Sequence, residues 1–255
     1  MRLSAAKTRL CLSTLALGVS LFTTATSAPA AAQDASETVS VELVLLVDTS
    51  SSVDNNEFWL QRQGYINAFR NDQVQQAILS NENGIAVRMA YWATANNRDA
   101  TEWFVLRSIS DCEAFADAVA GFERSFGGET HMAPAIDWAI DQLVNNDIDS
   151  ARRVIDVSGD GICENQEAAL NGTYNPDIHG PRTWDEVIAD LGSNLVVFNG
   201  ISIGENSVAN WYEANVPHGD GNFVLHSASF ENFGEGIRKK LIREINPTFL
   251  DALYD

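Results

Sequence analysis

The sequence predicts an α/β domain, a doubly wound and mostly parallel six-stranded sheet with one antiparallel edge strand and helices on both faces. Three observations carry this reading. Runs of β-branched and apolar residues alternate with segments of 3.6-residue periodicity. The helical segments open with capping chemistry. One pair of strands is joined by a connection too short for a helical crossover.

The strand candidates are VELVLLVD (41 to 48), GIAVRMAYWA (84 to 93), EWFVLRSI (102 to 109), RRVIDVS (152 to 158), NLVVFNGISI (194 to 203) and NFVLHSA (222 to 228). TANNRDAT separates the second from the third, which makes that pair the antiparallel hairpin. Asp54 precedes Glu57 by three residues, and the pairs Ser110/Glu113 and Thr183/Glu186 match the capping box. A helix over about 111 to 123 aligns Phe115, Val119 and Phe122; one over about 132 to 145 aligns Ile136, Ile140, Leu143 and Val144. The last, from about Phe230 to Glu244, aligns Phe233, Ile237 and Leu241, and its basic RKKLIR end suits the negative pole of the helix dipole. The segment 162 to 182, rich in Gly, Pro and Asn, reads as a long loop of the kind that is functional or mobile.

Arg2, Lys7 and Arg9 precede an apolar run followed by the small-residue tail TTATSAPAAAQ, which reads as a secretory signal peptide cut after Ala32. The expected organisation is a signal peptide over 1 to 32, a linker over 33 to 40, one domain over 41 to 246 and a tail over 247 to 255. No other stretch approaches the ~20 apolar residues of a membrane span, so the expectation is a periplasmic or secreted protein without membrane insertion. The leader holds three of the 16 basic residues and none of the 35 acidic ones, leaving 13 against 35 and a formal charge of −22. Such a surface repels nucleic acid and anionic lipid. It serves solubility in salt or attraction of cations, and charge alone does not choose.

The strand 41 to 48 ends in Asp48 and then four hydroxyls, Thr49 to Ser52, where a helix entrance needs one capping oxygen. The fourth strand ends in Ser158-Gly159-Asp160-Gly161, and SFGGETH supplies Glu129, Thr130 and His131 between two helices. In an open parallel sheet such groups gather at the carboxyl ends of the strands. Oxygen donors with few carboxylates and no sulfur suit octahedral Mg²⁺ or Mn²⁺ better than Zn²⁺, with Ca²⁺ left open. The plain reading of Asp-x-Ser-x-Ser is a capped helix entrance with surplus serines.

These residues, in this order, resemble the von Willebrand factor type A domain (vWA), whose metal-ion-dependent adhesion site (MIDAS) uses Asp-x-Ser-x-Ser, a distant Thr and a distant Asp. The resemblance implies Asp48, Ser50 and Ser52 in the first loop, Thr130 in the second and Asp160 in the third as Mg²⁺ ligands. It also implies binding, not turnover, with one coordination position for the carboxylate of a protein partner. More narrowly, VIDVSGDG and NFVLHSASFENFGEGIRKKLIREI resemble a bacterial exported group, domain-of-unknown-function family 1194.

The family loop usually reads Gly-Gly-Thr, whereas here Glu129 is inserted. Either the loop bulges and Thr130 still reaches the metal, or Glu129 takes the partner's place. Three rival readings stand beside this one. Asp156 to Glu167 nearly spells an EF-hand calcium loop. His131, His179, His218 and His226 could serve a Ser/His hydrolase, although no G-x-S-x-G elbow or H-E-x-x-H helix accompanies them. The domain could also be a metal-independent scaffold. By the family topology, Cys112 and Cys163 lie at opposite ends of the sheet, which disfavours a bridge. Trp184 and Trp211 are the surface candidates among the tryptophans. N-terminal sequencing of the exported protein is expected to start at Gln33.

Overall fold

The computed structural model describes residues 36–247, so the leader and its cleavage site lie outside the described residues. Val41–Asp48 (β2) is buried along its whole length, as a strand covered on both faces requires. Its side chains alternate between two cores: Leu43, Leu45 and Val47 enter one, Val44 and Leu46 the other. Ile85–Trp92 (β3) and Arg153–Gly159 (β7) flank β2 in parallel. Val196–Ile203 (β8) and Val224–Ser227 (β9) extend the parallel sheet beyond β7.

The antiparallel edge is present but broken. Arg98–Ala100 (β4) pairs with the end of β3 and Phe104–Leu106 (β5) with its beginning. Among the described residues the main sheet therefore has seven strands, ordered β4-β3-β2-β7-β8-β9 with β5 also on β3. The break falls at Thr101, where Thr101 Oγ1 accepts from the Met89 amide and donates to the Glu102 carbonyl, taking the strand out of register. A second, two-stranded parallel sheet joins Glu37–Val39 (β1) to Ile148–Ser150 (β6). Thus a strand forms within the segment that the sequence reads as linker.

Asn55–Phe69 (α1), Asp72–Leu79 (α2), Ile109–Gly121 (α3) and Phe230–Ile245 (α9) pack on the first core. Met132–Val144 (α4), Trp184–Ser193 (α7) and Asn206–Asn215 (α8) pack on the second. The segment expected as a long loop holds two short helices, Glu164–Leu170 (α5) and Pro176–His179 (α6). The Asp54/Glu57 and Thr183/Glu186 pairs both form reciprocal capping boxes. Ser110 does not cap: α3 begins earlier, with Ser108 Oγ accepting from the Asp111 amide, and Glu113 turns instead to Arg70 at 3.1 Å. Phe122 falls just past α3 yet still packs on the first core.

Cys112 lies in the first core and Cys163 in the second, both as free thiols, so the sheet stands between them. Trp184 is 4% exposed, packed against Trp211 at 5.4 Å, while Trp59 on the outer side of α1 is 50% exposed. The surface expectation for Trp184 is therefore wrong, because its place at the start of α7 lies on the helix's apolar face.

The first core carries a polar stripe. Lys240 Nζ on α9 lies 2.5 Å from Asp156 Oδ1 on β7 and 2.5 Å from Glu244 Oε1, all three fully buried. Asn199 on β8, the register partner of Asp156, donates to Glu244 Oε1 at 3.0 Å. These contacts also end the EF-hand reading: the first positions of that spacing are strand, and Asp156 turns to α9. Burial, then the Glu244 carboxylate, push Asp156 up to about 7 against the opposing pull of Lys240.

Because the folded chain holds this proton more tightly than the unfolded one, its stabilising contribution is present at low pH. It is lost as pH rises from the ordinary carboxylate range to about 7. Asp156→Asn is expected to flatten that part of a denaturation profile measured against pH. Lys240→Met, which leaves two buried carboxylates without their cation, is expected to lower stability by about 3–5 kcal/mol in denaturant titrations.

Candidate metal centre

Because β2 and β7 are adjacent and parallel, their carboxyl ends set the first and third oxygen-bearing loops side by side. Asp48 closes β2 with its side chain fully buried. The Ser50 amide donates to Asp48 Oδ1 at 2.8 Å, Ser50 Oγ lies 3.0 Å from Ser52 Oγ, and Ser52 Oγ donates to Asp160 Oδ1 at 2.7 Å. One hydrogen-bonded chain thus runs from the interior at Asp48 to Asp160 just past β7. Thr130 joins from the loop between α3 and α4: its Oγ1 lies 3.1 Å from where a Cβ on Gly161 would stand. The five expected residues are therefore brought to one place, with Ser50 and Thr130 buried and Ser52 exposed.

The electrostatics of the site are those of excess negative charge. Asp48 is pushed up to about 7, first by burial and further by the nearby Asp160 carboxylate, against the Ser50 hydrogen bonds. Burial likewise raises Asp160. Asp48 Oδ2 and Tyr212 Oη are both buried without a hydrogen-bond partner. Both face the bare Cα of Gly159: a Cβ there would stand 2.6 Å from Asp48 Oδ2 and 2.9 Å from Tyr212 Oη. A buried carboxylate with one unpaired oxygen, in a loop cluster that also holds two serine hydroxyls, a threonine and a second carboxylate, fits a hard divalent cation, which would offset both the charge and the missing partner.

The loops are braced by residues that sequence patterns did not single out. Arg124 donates to the carbonyls of Val53 at 2.7 Å, Thr49 at 3.0 Å and Ser50 at 3.2 Å, holding the first loop from outside. Gln61 on α1 donates to the Asp48 carbonyl at 3.1 Å and accepts from Ser158 Oγ at 3.0 Å. A signal for Gln61 existed: it is a polar residue on the buried helix stripe of Phe58 and Tyr65. Arg124, a lone cation just before Gly-Gly, carried a weaker one.

The second loop is stitched to its neighbours. The Ser51 amide donates to the Gly128 carbonyl at 2.8 Å, the His131 amide to Ala93 at 3.0 Å, and the Glu164 amide to Thr130 at 3.1 Å. The Glu129 carboxylate turns to His131, with Oε2 3.1 Å from Nε2. His131 is 1% exposed, because it leads into α4 against the β3 corner. Beside Asp160 a cleft of about 330 Å³ opens between the starts of α8 and α9, lined also by Glu57, Glu205 and Glu231.

A family profile described as "Protein of unknown function (DUF1194)" matches residues 38–249. The chain belongs to that family. No curated protein matches this DUF1194 member. Among solved structures it is similar to proximal thread matrix protein 1 from the mussel byssus, with a zinc-occupied MIDAS motif in that protein, at 15% identity and a TM-score of 0.53 over 81% of this chain and 46% of the other. It is likewise similar to the pilus adhesin SpaC from Lactobacillus rhamnosus GG, at 15% identity and 0.54 over 81% and 30%. A third is a von Willebrand factor type A protein from Catenulispora acidiphila, at 15% identity and 0.53 over 81% and 43%. The chain spans less than half the length of each of these three. Together they show that this DUF1194 protein has the vWA fold.

Gly159→Ala places a methyl group on Asp48 and Tyr212 in a region with no room for it. It is expected to cost about 1–3 kcal/mol, read as a lowered thermal midpoint.

Proposed function

We propose that this protein is an exported binding module that holds a divalent cation, Mg²⁺ by its donor set, at a MIDAS-like site and captures an acidic group of a protein partner. The observation that carries the reading is the buried Asp48 carboxylate, whose Oδ1 heads the Ser50–Ser52–Asp160 hydrogen-bonded chain and whose Oδ2 has no hydrogen-bond partner. Asp48 and Asp160 would balance the ion's charge, and Ser50, Ser52 and Thr130 would be neutral donors. When bound, the ion supplies a Lewis-acidic position for a partner's carboxylate oxygen. Having only two carboxylates in the set keeps that position electrophilic, so a chain of formal charge −19 with its leader can still take an acidic partner.

The pilus adhesin and byssus matrix protein among the structural neighbours agree with an interaction module outside the cytoplasm. Among the described residues no helix is long and apolar enough to cross a membrane. Among the described residues the serine–histidine pair in hydrogen-bond contact is Ser202–His226 at 3.1 Å, and its Ser202 is fully buried, out of a substrate's reach, which favours binding over hydrolysis.

Calorimetry on the mature chain is expected to show one Mg²⁺ per chain, with Asp48→Ala and Asp160→Ala each abolishing the heat. A pull-down from the native envelope is expected to retain a partner with Mg²⁺ and to lose it with chelator or Asp48→Ala. Equal retention in every arm would move the assignment to a metal-independent scaffold.

A further inference from the structure

The polar stripe of the first core sets a primary amine against a carboxyl, both out of contact with solvent. Lys240 Nζ lies 2.5 Å from Asp156 Oδ1, and both side chains are fully buried. Once the ~1.2 Å C–O bond is added, the amine stands no more than about 3.7 Å from Asp156 Cγ, near the ~3–3.5 Å of two atoms placed to react. Close as it is, the nitrogen makes no hydrogen bond to that carboxyl: neither Asp156 oxygen has a hydrogen-bond partner. Lys240 donates instead to Glu244 Oε1, which Asn199 also meets at 3.0 Å. Glu244 is thereby engaged as an acceptor, with its Oε2 buried and unpartnered, and Asp156 is left as the free carboxyl. Burial, then the Glu244 carboxylate, raise Asp156 to about 7, so its acid form, which carries a leaving hydroxyl, is populated.

The residue type fits a reaction better than it fits an ion pair. Past the leader the sequence keeps two lysines, Lys239 and Lys240, and uses arginine for its other basic residues. A guanidinium stays charged, whereas an amine gives up its proton readily when buried and is then a nucleophile. Lys240 is the lysine sent into the core, with the Phe223 ring centroid 5.2 Å from Nζ.

We propose that Lys240 Nζ and Asp156 Cγ join in an isopeptide bond, with Glu244 as the proton carrier. One Nζ proton passes to Asp156, and the amine lone pair attacks Cγ. Glu244 takes a second proton from the nitrogen and delivers it to the departing hydroxyl, so the Cγ–O bond breaks and one water leaves. The last proton stays on the amide nitrogen, Glu244 ends as it began, and no oxidant or other reactant is needed. In bulk water hydrolysis wins, but groups fixed in contact react at an effective concentration of about 10⁵–10⁸ M, which favours the amide. The bond ties β7 to α9, a covalent brace in a chain whose two described cysteines lie in separate cores. It does not rest on the proposed metal site. Asp156 titrates only in the unlinked chain, to which the pH dependence of its carboxyl belongs.

Intact mass spectrometry of the denatured mature chain is expected to find it lighter than its sequence by one water. Tandem spectra should place the link between the peptides carrying Asp156 and Lys240. Asp156→Ala and Lys240→Arg should each return to the full sequence mass. Glu244→Gln, which keeps the volume and an acceptor for Asn199, is expected to fold, which thermal melting checks. After refolding from inclusion bodies it should form the link about 10²- to 10⁴-fold more slowly than wild type, the worth of a positioned acid–base group. A wild-type chain at its full mass would overturn the bond and leave an ion pair, and that measurement needs no variant. A lost water that persists in Lys240→Arg would overturn it in favour of a succinimide at Asp160-Gly161 or Asp220-Gly221. A link mapped to Glu244 would overturn it in favour of a lactam within α9, and linkage at the wild-type rate in Glu244→Gln would overturn the carrier role.

Discussion

A carboxylate buried at the end of the central strand is the constraint around which this fold is arranged. Asp48 is out of contact with water, one of its oxygens is met by the Ser50 amide, and the other has no hydrogen-bond partner. Removing a carboxylate from water is costly without pairing, and the surroundings show how the cost is contained. The carboxyl is pushed up to about 7, the nearby Arg124 opposes that shift, and Gly159 leaves the space that any side chain would fill. The proposed cation is the remaining partner, and it accounts for why hydroxyls, not further charges, surround the aspartate.

The sheet's two faces divide the labour of support. The second core is apolar, and α4 rests on it directly after Thr130. The first core has a polar stripe beneath the site: Gln61 links the Asp48 carbonyl to Ser158, Tyr65 donates to the same serine at 3.2 Å, and two residues along β7 Asp156 is held by Lys240. Helices α1 and α9 are thus tied to the strands that carry the first and third loops. Hydrogen bonds in such an interior have fixed partners and directions, which pure packing lacks.

Much of this was legible because the determinants are local. The β2 run, the Asp54 and Thr183 caps and the stripes of α4 and α9 follow from neighbours within a few residues, where periodicity and capping act. The order Asp48, Thr130, Asp160 was legible as well, since parallel strands send their carboxyl ends to one edge. At α3 the cap is Ser108 and not Ser110, and Glu113 pairs with Arg70, far along the chain. The broken edge strand, the pairing of β1 with β6 and the burial of Trp184 likewise depend on partners distant in sequence.

The sequence by itself determined the fold class, the vWA-like order of oxygen-bearing loops and the excess of acidic charge, because each is a matter of composition or short-range pattern. Only the tertiary structure decided where Glu129 turns, that Nδ1 of His131 faces the Ala95 amide, that Arg124 and Gln61 brace the first loop, and that Asp156 belongs to Lys240 and not to a calcium loop. The reason is physical. A polar side chain in an interior goes to whichever complementary group the packing leaves within reach, and that group is set by the meeting of distant segments.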